Sequence, residues 1–416
     1  MKTDRNRRVV VTGMGVVSPL GSSVAEFWRA LLAGESGVRR VEEMDLAKSR
    51  SRIGAQVKGY RPEDHFSPKE LKRYSLATQL ALVAAGQAVG ESGLENLNGS
   101  PLRRAVIMGT SNAGFTASES HFAEFYAGPA KGNPFIVAKV MNNAPASNIS
   151  IKYGFQGPLM TTDAACASSA HAIGYAFQQI RAGLIDVAIT GGADATLSPA
   201  VVQAWSLMRV LSERNDDPQR ALRPFSKDRE GMVLGEGAGV IVLESEEHAK
   251  ERGATILAEV TGYGATSDGH HITQPSQDGP RAAIQLALKD AGLEVGQVDY
   301  VNAHATATPW NDANETAAIK LALGEHAYNI PVVGIKGAIG HPIAASGALE
   351  FVSVVKSIQE SRVPPTINRL IPDPECDLDY ATEGPREVEI EHAASNSFAF
   401  GGSNAVLVVS RYDQHR

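Results

Sequence analysis

Two cysteines in 416 residues cannot staple a chain of this size. Disulfides therefore do not organise the fold, and a reducing, cytoplasmic setting is expected. No apolar run approaches the roughly 20 residues that a membrane helix needs, and no secretory signal precedes the first strand-like segment. Basic charge is not in excess either. Thirty-nine Lys and Arg against 46 Asp and Glu leave a net charge of −7, which argues against a general nucleic-acid binder. A local basic patch could still meet an acidic partner. Linkers rich in Pro, Gly or Ser and low-complexity runs are also lacking, so tethered, independent domains are not expected.

What is present is a large apolar fraction, 43%, with forty glycines and only 6% aromatics. That supports a large core with many tight turns and close backbone approaches. Strand-like segments at 7–17, 103–109 and 185–194 alternate with helical patterns at 23–33 and 67–94 and with one beginning near Cys166. This alternation predicts an α/β layered fold. The chain also echoes itself. "VTGMG" at 11–15 recurs as "VTGYG" at 260–264, and the helix after Cys166 has a counterpart in "HPIAASGALEFVSVVKSI" at 341–358. Two similar halves, 1–250 and 251–416, are expected to pack as one unit.

Cys166 lies in "TTDAACASSAHAIG" at the start of that helix, where free amides and the helix dipole would favour a thiolate. Small neighbours leave room for a substrate, although a buried structural cysteine fits the segment equally well. In the second half, "VNAHATATP" places His304 at a strand end, and "GIKGAIGHPIAASGALE" places Lys336, His341 and Glu350 in and after a glycine-rich loop. Thirty-seven residues separate the histidines, and no HxH, HExxH or CxxC spacing accompanies them, so no metal is expected. The adjacent His270 and His271 suit a pocket-lining loop. Cys376, crowded by acids in "PDPECDLDY", suits no nucleophilic role. "GMGVVS" and "GEGAG" lack the pattern of a dinucleotide loop and suit close packing instead.

Taken in order, "VVVTGMGVVSPLG", the Cys166 segment, "RPFSKDREGMVLGEGAG", "VNAHATATPWND", "IKGAIGH", "PPTIN" and "SNSFAFGGSNA" resemble the β-ketoacyl-[acyl carrier protein] synthases. These are condensing enzymes of the thiolase superfamily, and the likeness is to the elongating synthases of type II fatty-acid and polyketide systems. The resemblance runs nearly end to end and implies a duplicated α/β/α/β/α layered sandwich. It implies that Cys166 carries the acyl group, that His304 and His341 serve decarboxylation, and that Lys336 and Glu350 support them. Thr306 and Thr308 would contact the pantetheine arm. Phe400 would gate the site, opposite a loop bearing Asp268, and its amide with that of Cys166 would form the oxyanion hole.

No cofactor of its own is implied, because substrates arrive on the phosphopantetheine of an acyl carrier protein. That acidic partner would dock near Lys69, Lys72 and Arg73, read as one face of one helix, and near Lys131 and Arg209. A homodimer, or a heterodimer with a related synthase subunit, is implied as well. The chain departs from the pattern at Ala305, Ala307 and Ala399, the last of which should stiffen the gate. It departs again at Asn112, where an apolar residue usually lines the acyl pocket. A polar group there points to an oxygenated or conjugated chain, hence a polyketide or unusual acyl role over housekeeping fatty-acid elongation.

Overall fold

The computed structural model describes residues 7–94, 99–128 and 132–414. Ten strands form its main sheet. They are β1 (Val9–Val17), β2 (Arg104–Gly109), β3 (Leu159–Thr162), β4 (Val187–Ala195), β5 (Glu236–Ser245), β6 (Ala258–Ser267), β7 (Tyr300–Asn302), β8 (Val332–Val333), β9 (His392–Phe398) and β10 (Ser403–Ser410). Their spatial order is β8-β7-β9-β10-β6-β1-β5-β4-β2-β3. From β1 outward, the strands of residues 9–245 run first, fifth, fourth, second, third; from β6 outward, those of 258–410 run in the same order. The directions repeat too. In each set the inner pairings are antiparallel and the outer two parallel.

Five helices frame the site: α1 (Leu76–Ser92), α2 (Ser168–Arg181), α3 (Asp278–Ala291), α4 (Asn311–Leu323) and α5 (Ser346–Glu360). Strands with both faces covered need apolar residues at every position, and β5 is buried throughout. Its Ile241 and Leu243 enter a central core with Ile173 and Phe177 of α2 and Leu349 and Val352 of α5. Its Val240 and Val242 turn the other way, to Leu80 and Val89 of α1. In β10, Leu407 joins the central core, while Val406 and Val408 meet α3 and α4. The two five-stranded halves of the sheet, joined where β1 pairs with β6, act as two sheets, and the layers are thus helix, sheet, paired central helices, sheet, helix: the thiolase-type sandwich.

The sequence echo has a physical cause. Thr12 and Thr261 are each skipped in the pairing register, one bulge in each repeat. The glycines beside them let helices lie on the sheet. A Cβ at Gly13 or Gly15 would fall 2.1 or 1.9 Å from carbonyls of α1, and at Gly262 or Gly264, 2.3 or 2.1 Å from carbonyls of α3. The 67–94 helix is divided, however. A short turn of helix at Pro68–Leu71 stops before Ser75, whose side chain caps α1. Lys69 lies in that turn, whereas Lys72 and Arg73 come after it, so the three do not share one helix face. All three are exposed. No helix among the described residues is long and apolar enough to cross a membrane.

Because backbone carbonyls cannot yield as side chains do, Gly264→Ala is expected to cost about 1–3 kcal/mol. Urea denaturation would show it as a lowered midpoint with an unchanged slope.

Candidate active site

Strand β3 delivers the chain to a single turn, Ala165–Ala167, from which α2 starts at Ser168. Ala165 has φ +46°, a left-handed conformation that costs a non-glycine residue about 1–2 kcal/mol. Local hydrogen bonds hold it. Ser168 Oγ accepts from the Ala164 amide at 2.8 Å and donates to the Ala165 carbonyl at 2.7 Å. The second repeat builds the same turn at Ile343–Ala345 before α5, with Ile343 at φ +36°. Ala344 stands there where Cys166 stands in the first. Asp194, from the end of β4, ties the second turn to the first repeat. Its buried carboxylate accepts from the amides of Asn112 (3.1 Å), Ala195 (3.2 Å) and Ala344 (3.3 Å).

His341 Nε2 lies 3.1 Å from Cys166 Sγ, and its Nδ1 is 2.8 Å from Ser346 Oγ at the head of α5. The His304 ring stands across the His341 ring, centroids 5.6 Å apart and planes at 82°. Cys Sγ and one nitrogen of each imidazole fall within 4.8 Å of one another. Nothing in the spacing along the chain foretells this cluster. Lys336 Nζ donates to the His304 carbonyl at 2.6 Å, sits 3.3 Å from His304 Nδ1, and forms an ion pair with Glu350. Lys336 and Glu350 are fully buried; Lys336 anchors His304 directly and Glu350 does so through Lys336, while Ser346 anchors His341.

Two acids on the first turns of α4 do as much. Glu315 accepts from the His304 and Ala305 amides at 2.7 and 2.8 Å. Asp312 accepts from those of Ala307 and Phe225 at 3.0 and 2.7 Å. Ala305 and Ala307 sit at φ +46° and +59°, and these carboxylates hold the strained loop. Sequence reasoning misses both acids. Their signal is a pair of acids three apart in "NDANE", one helical turn after the histidine loop.

Burial governs the electrostatics. It pushes the Cys166 thiol up to about 12, against the Lys336 charge and a backbone hydrogen bond that pull it down. Burial therefore opposes the thiolate that a helix start favours and holds the sulfur toward the neutral thiol. Burial, with the Lys336 cation, also holds His304 and His341 well below the ordinary imidazole value. Both are neutral bases and donors. Cys376 is buried, its thiol raised to about 12 by burial and then by Asp312, and it lies away from this cluster.

A cavity of about 420 Å³ opens onto Cys166, His304 and His341. Thr306 and Thr308 line it with their hydroxyls 2.9 Å apart, and Arg209 and His271 reach it as well. Phe400 stacks on Trp205 within it, centroids 5.9 Å apart at 21°. Trp205 does not stand out in the sequence, being one aromatic on an ordinary apolar helix. Asp268 accepts from Asn404 Nδ2 at 2.7 Å and from the Ser276 amide at 3.1 Å. It pins the loop facing Phe400, and its own amide donates to Gly402 O at 2.8 Å. Ala399 is not at positive φ; Gly401 and Gly402 are, at +83° and +73°, so they are the hinge of this turn. Asn112 is not brought into the cavity: its backbone bonds to Asp194 behind the nucleophile turn. Lys131 lies outside the described residues.

A thiolase-type sandwich with a buried thiol between two neutral imidazoles suits acyl transfer through a thioester. The comparisons bear this out. The "Beta-ketoacyl synthase, N-terminal domain" family matches residues 6–249 and the corresponding C-terminal domain residues 257–369. A 3-oxoacyl-[acyl-carrier-protein] synthase 2 of Coxiella burnetii is 41% identical over 408 residues, covering 97% of this chain and 99% of that protein. Nodulation protein E of Rhizobium meliloti is 42% identical over 403 residues, covering 97% and 98%. Among solved structures, a type II polyketide ketosynthase in complex with its acyl-carrier protein superposes with a TM-score of 0.91 at 34% identity, covering 98% of this chain and 100% of that one. The ishigamide ketosynthase/chain length factor gives 0.90 at 35%, with the same coverage. The chain belongs to the β-ketoacyl synthase family, and it is an acyltransferase that forms carbon–carbon bonds by ketoacyl condensation.

Burial raises the Asp194 carboxyl to about 7. A carboxyl whose folded value exceeds its unfolded one binds more protons when folded, so its contribution to stability falls as pH rises from about 4 to about 7. Asp194→Asn is expected to remove that slope, up to roughly 1.4 kcal/mol per pH unit for one group. Urea midpoints measured across that range would check it.

Proposed function

We propose that Cys166 is the acyl carrier of a decarboxylative condensation, with His341 and His304 as its proton and hydrogen-bond partners. The carrying observation is the 3.1 Å contact between His341 Nε2 and a thiol that burial keeps protonated. A neutral imidazole there takes the thiol proton as sulfur attacks the incoming thioester, and passes it to the departing pantetheine sulfur. The products are an acyl-Cys166 and a free carrier thiol. A malonyl thioester enters next. Its bond to CO2 breaks, and the electron pair moves toward the thioester oxygen, where both imidazoles donate through Nε2–H. The resulting carbanion attacks the acyl carbon, the C–C bond forms, Cys166 leaves as thiolate, and one proton taken up from solvent through His341 restores the thiol. The Ser346 hydroxyl can donate or accept, so it serves either tautomer of His341. The amides of Cys166 and Phe400 are read as the oxyanion hole for the acyl transfers.

Substrates are proposed to arrive on the phosphopantetheine of an acyl carrier protein, the arm passing Thr306 and Thr308 and the protein docking near Arg209, Lys69, Lys72, Arg73 and Lys131. We read the chain as two packed halves, 1–250 and 251–416, working in the cytoplasm as a dimer with itself or a related subunit. Support for a dimer comes from edge strand β3 and the helix at Phe115–Ala127. That helix buries no residue, and Tyr126 is 81% and Phe125 61% exposed. Apolar surface beside an open sheet edge calls for a covering chain. A polyketide or otherwise oxygenated acyl chain is our first reading, supported by the likeness to type II polyketide ketosynthases and not by Asn112, which lies outside the cavity beside a polar cluster. Ser111 Oγ donates to Asp163 at 2.9 Å and Asn142 Nδ2 donates to it at 3.2 Å. Housekeeping fatty-acid elongation is the second reading, favoured by the relatives named as 3-oxoacyl synthases.

Mass spectrometry after mixing with a panel of acyl-carrier thioesters is expected to show one acyl group on Cys166, with oxygenated or unsaturated chains loaded ahead of saturated ones. Equal loading of saturated long chains would decide for fatty-acid elongation. Cys166→Gln should still release CO2 from malonyl carrier yet form no condensed product, whereas His304→Ala should slow CO2 release by about 10²–10³-fold. Glu315→Gln, which leaves one loop amide facing an NH2, should slow CO2 release more than Cys166 acylation, by about 10²-fold. Condensation retained in Cys166→Gln would remove the nucleophile assignment.

A further inference from the structure

We propose that His171 is a positioning residue that clamps the base of the Phe400 turn to the nucleophile helix, and so sets how readily that turn opens. This rests on the reading of Phe400 as the gate. His171 lies five residues beyond Cys166 on α2 and is buried. It touches none of the groups assigned to the chemistry. Its Nε2 is 2.8 Å from Ser403 Oγ, and its Nδ1 is 2.5 Å from the Tyr263 hydroxyl. Ser403 is where the gating turn closes: its carbonyl accepts from the Ala399 amide at 2.9 Å, and Gly402 N donates to Ala399 O at 3.0 Å. The imidazole therefore grips the residue on which the turn folds.

The approach of Tyr263 is built for. It comes from β6 across α2 at Gly174, where a Cβ would lie 2.4 Å from the ring. Tyr175 stacks on the outer side of His171, centroids 6.1 Å apart at 25°. A tyrosine hydroxyl donating to Nδ1 leaves the ring proton on Nε2, which then donates to Ser403 Oγ. The result is a directed chain from β6 through the nucleophile helix to the gate. On its far side the turn is held by the Gly401 amide on Ile272 O at 2.7 Å, by the Asp268 amide on Gly402 O at 2.8 Å and by the Phe400–Trp205 stack. With Gly401 and Gly402 as hinge and Ser403 fixed, Phe400 can swing while its base keeps register with Cys166. A loosened base would let the malonyl carrier reach the histidines before Cys166 is acylated, and CO2 would be lost without condensation.

The test measures CO2 released per condensed product, using the full chain with acyl and malonyl carrier thioesters. His171→Gln and Tyr263→Phe are each expected to raise that ratio about fivefold, as a modest shift in the gate population would. Tyr263→Phe keeps the imidazole and frees only its tautomer, so it serves if His171→Gln folds poorly. Phe400→Ala is the control and should raise the ratio further. An unchanged ratio in Phe400→Ala would sink the gate reading and the clamp with it. A raised ratio in Phe400→Ala beside unchanged ratios in the other two, even with lowered melting temperatures, would overturn the clamp alone.

Discussion

The ion pair between Lys336 and Glu350 is the constraint on which the site depends. Neither side chain is exposed, and a buried pair of this kind contributes little net stability, though losing one partner is expensive because the other is left charged and unpaired. Its use here is positional. Lys336 reaches His304 twice, at the carbonyl and at Nδ1, so the strand end, the histidine and the head of α5 are tied at one ammonium group. The same cation helps keep both imidazoles neutral. Geometry and protonation state thus share a single source, and it lies in the layer between the two sheets, where solvent cannot loosen it.

A dry site changes what catalysis can mean for each group. A charged imidazole or a resting thiolate would carry a desolvation cost in this cavity. In the proposed reaction new charge develops on the thioester oxygen and the leaving sulfur, where fixed donors would act in a low dielectric without having to reorganise. The two carboxylates on α4 work behind the scene. They absorb the cost of left-handed backbone at Ala305 and Ala307 by satisfying amides that the bend would otherwise leave unpaired.

Much of this is legible along the chain, for reasons that differ by element. The repeated "VTGMG" and "VTGYG" are readable because one bulge and two helix contacts impose the same small-residue pattern in each half. Cys166, His304, Lys336 and His341 stand out because they sit in loops of small residues, where reactive side chains contrast with their neighbours. Asp194, Glu315, Ser346 and Trp205 do not stand out. Each acts on a segment distant in sequence or through a backbone amide, and no local pattern distinguishes such an acid from a solvated one. The helix at 67–94 reads as continuous because its apolar period carries through Leu71, while the break is made by a cap at Ser75. The opposing pull on the thiol is not legible because a helix start is visible in the sequence, whereas the depth at which the sulfur is buried is not.

Ala344 gives the twin of the nucleophile turn a different meaning. Ile343 keeps a backbone conformation that a β-branched residue rarely adopts, yet no reactive side chain comes after it. What the turn still supplies is one amide, pointed at Asp194, opposite the amides that Asp194 receives from the first repeat. The second turn is thus a keystone: it carries no nucleophile, but its Ala344 amide props the same carboxyl that receives the Asn112 and Ala195 amides of the first repeat. Variation at this turn is therefore constrained by a thiol located in the other repeat, and changes far from the thiol in sequence can be as consequential as changes beside it.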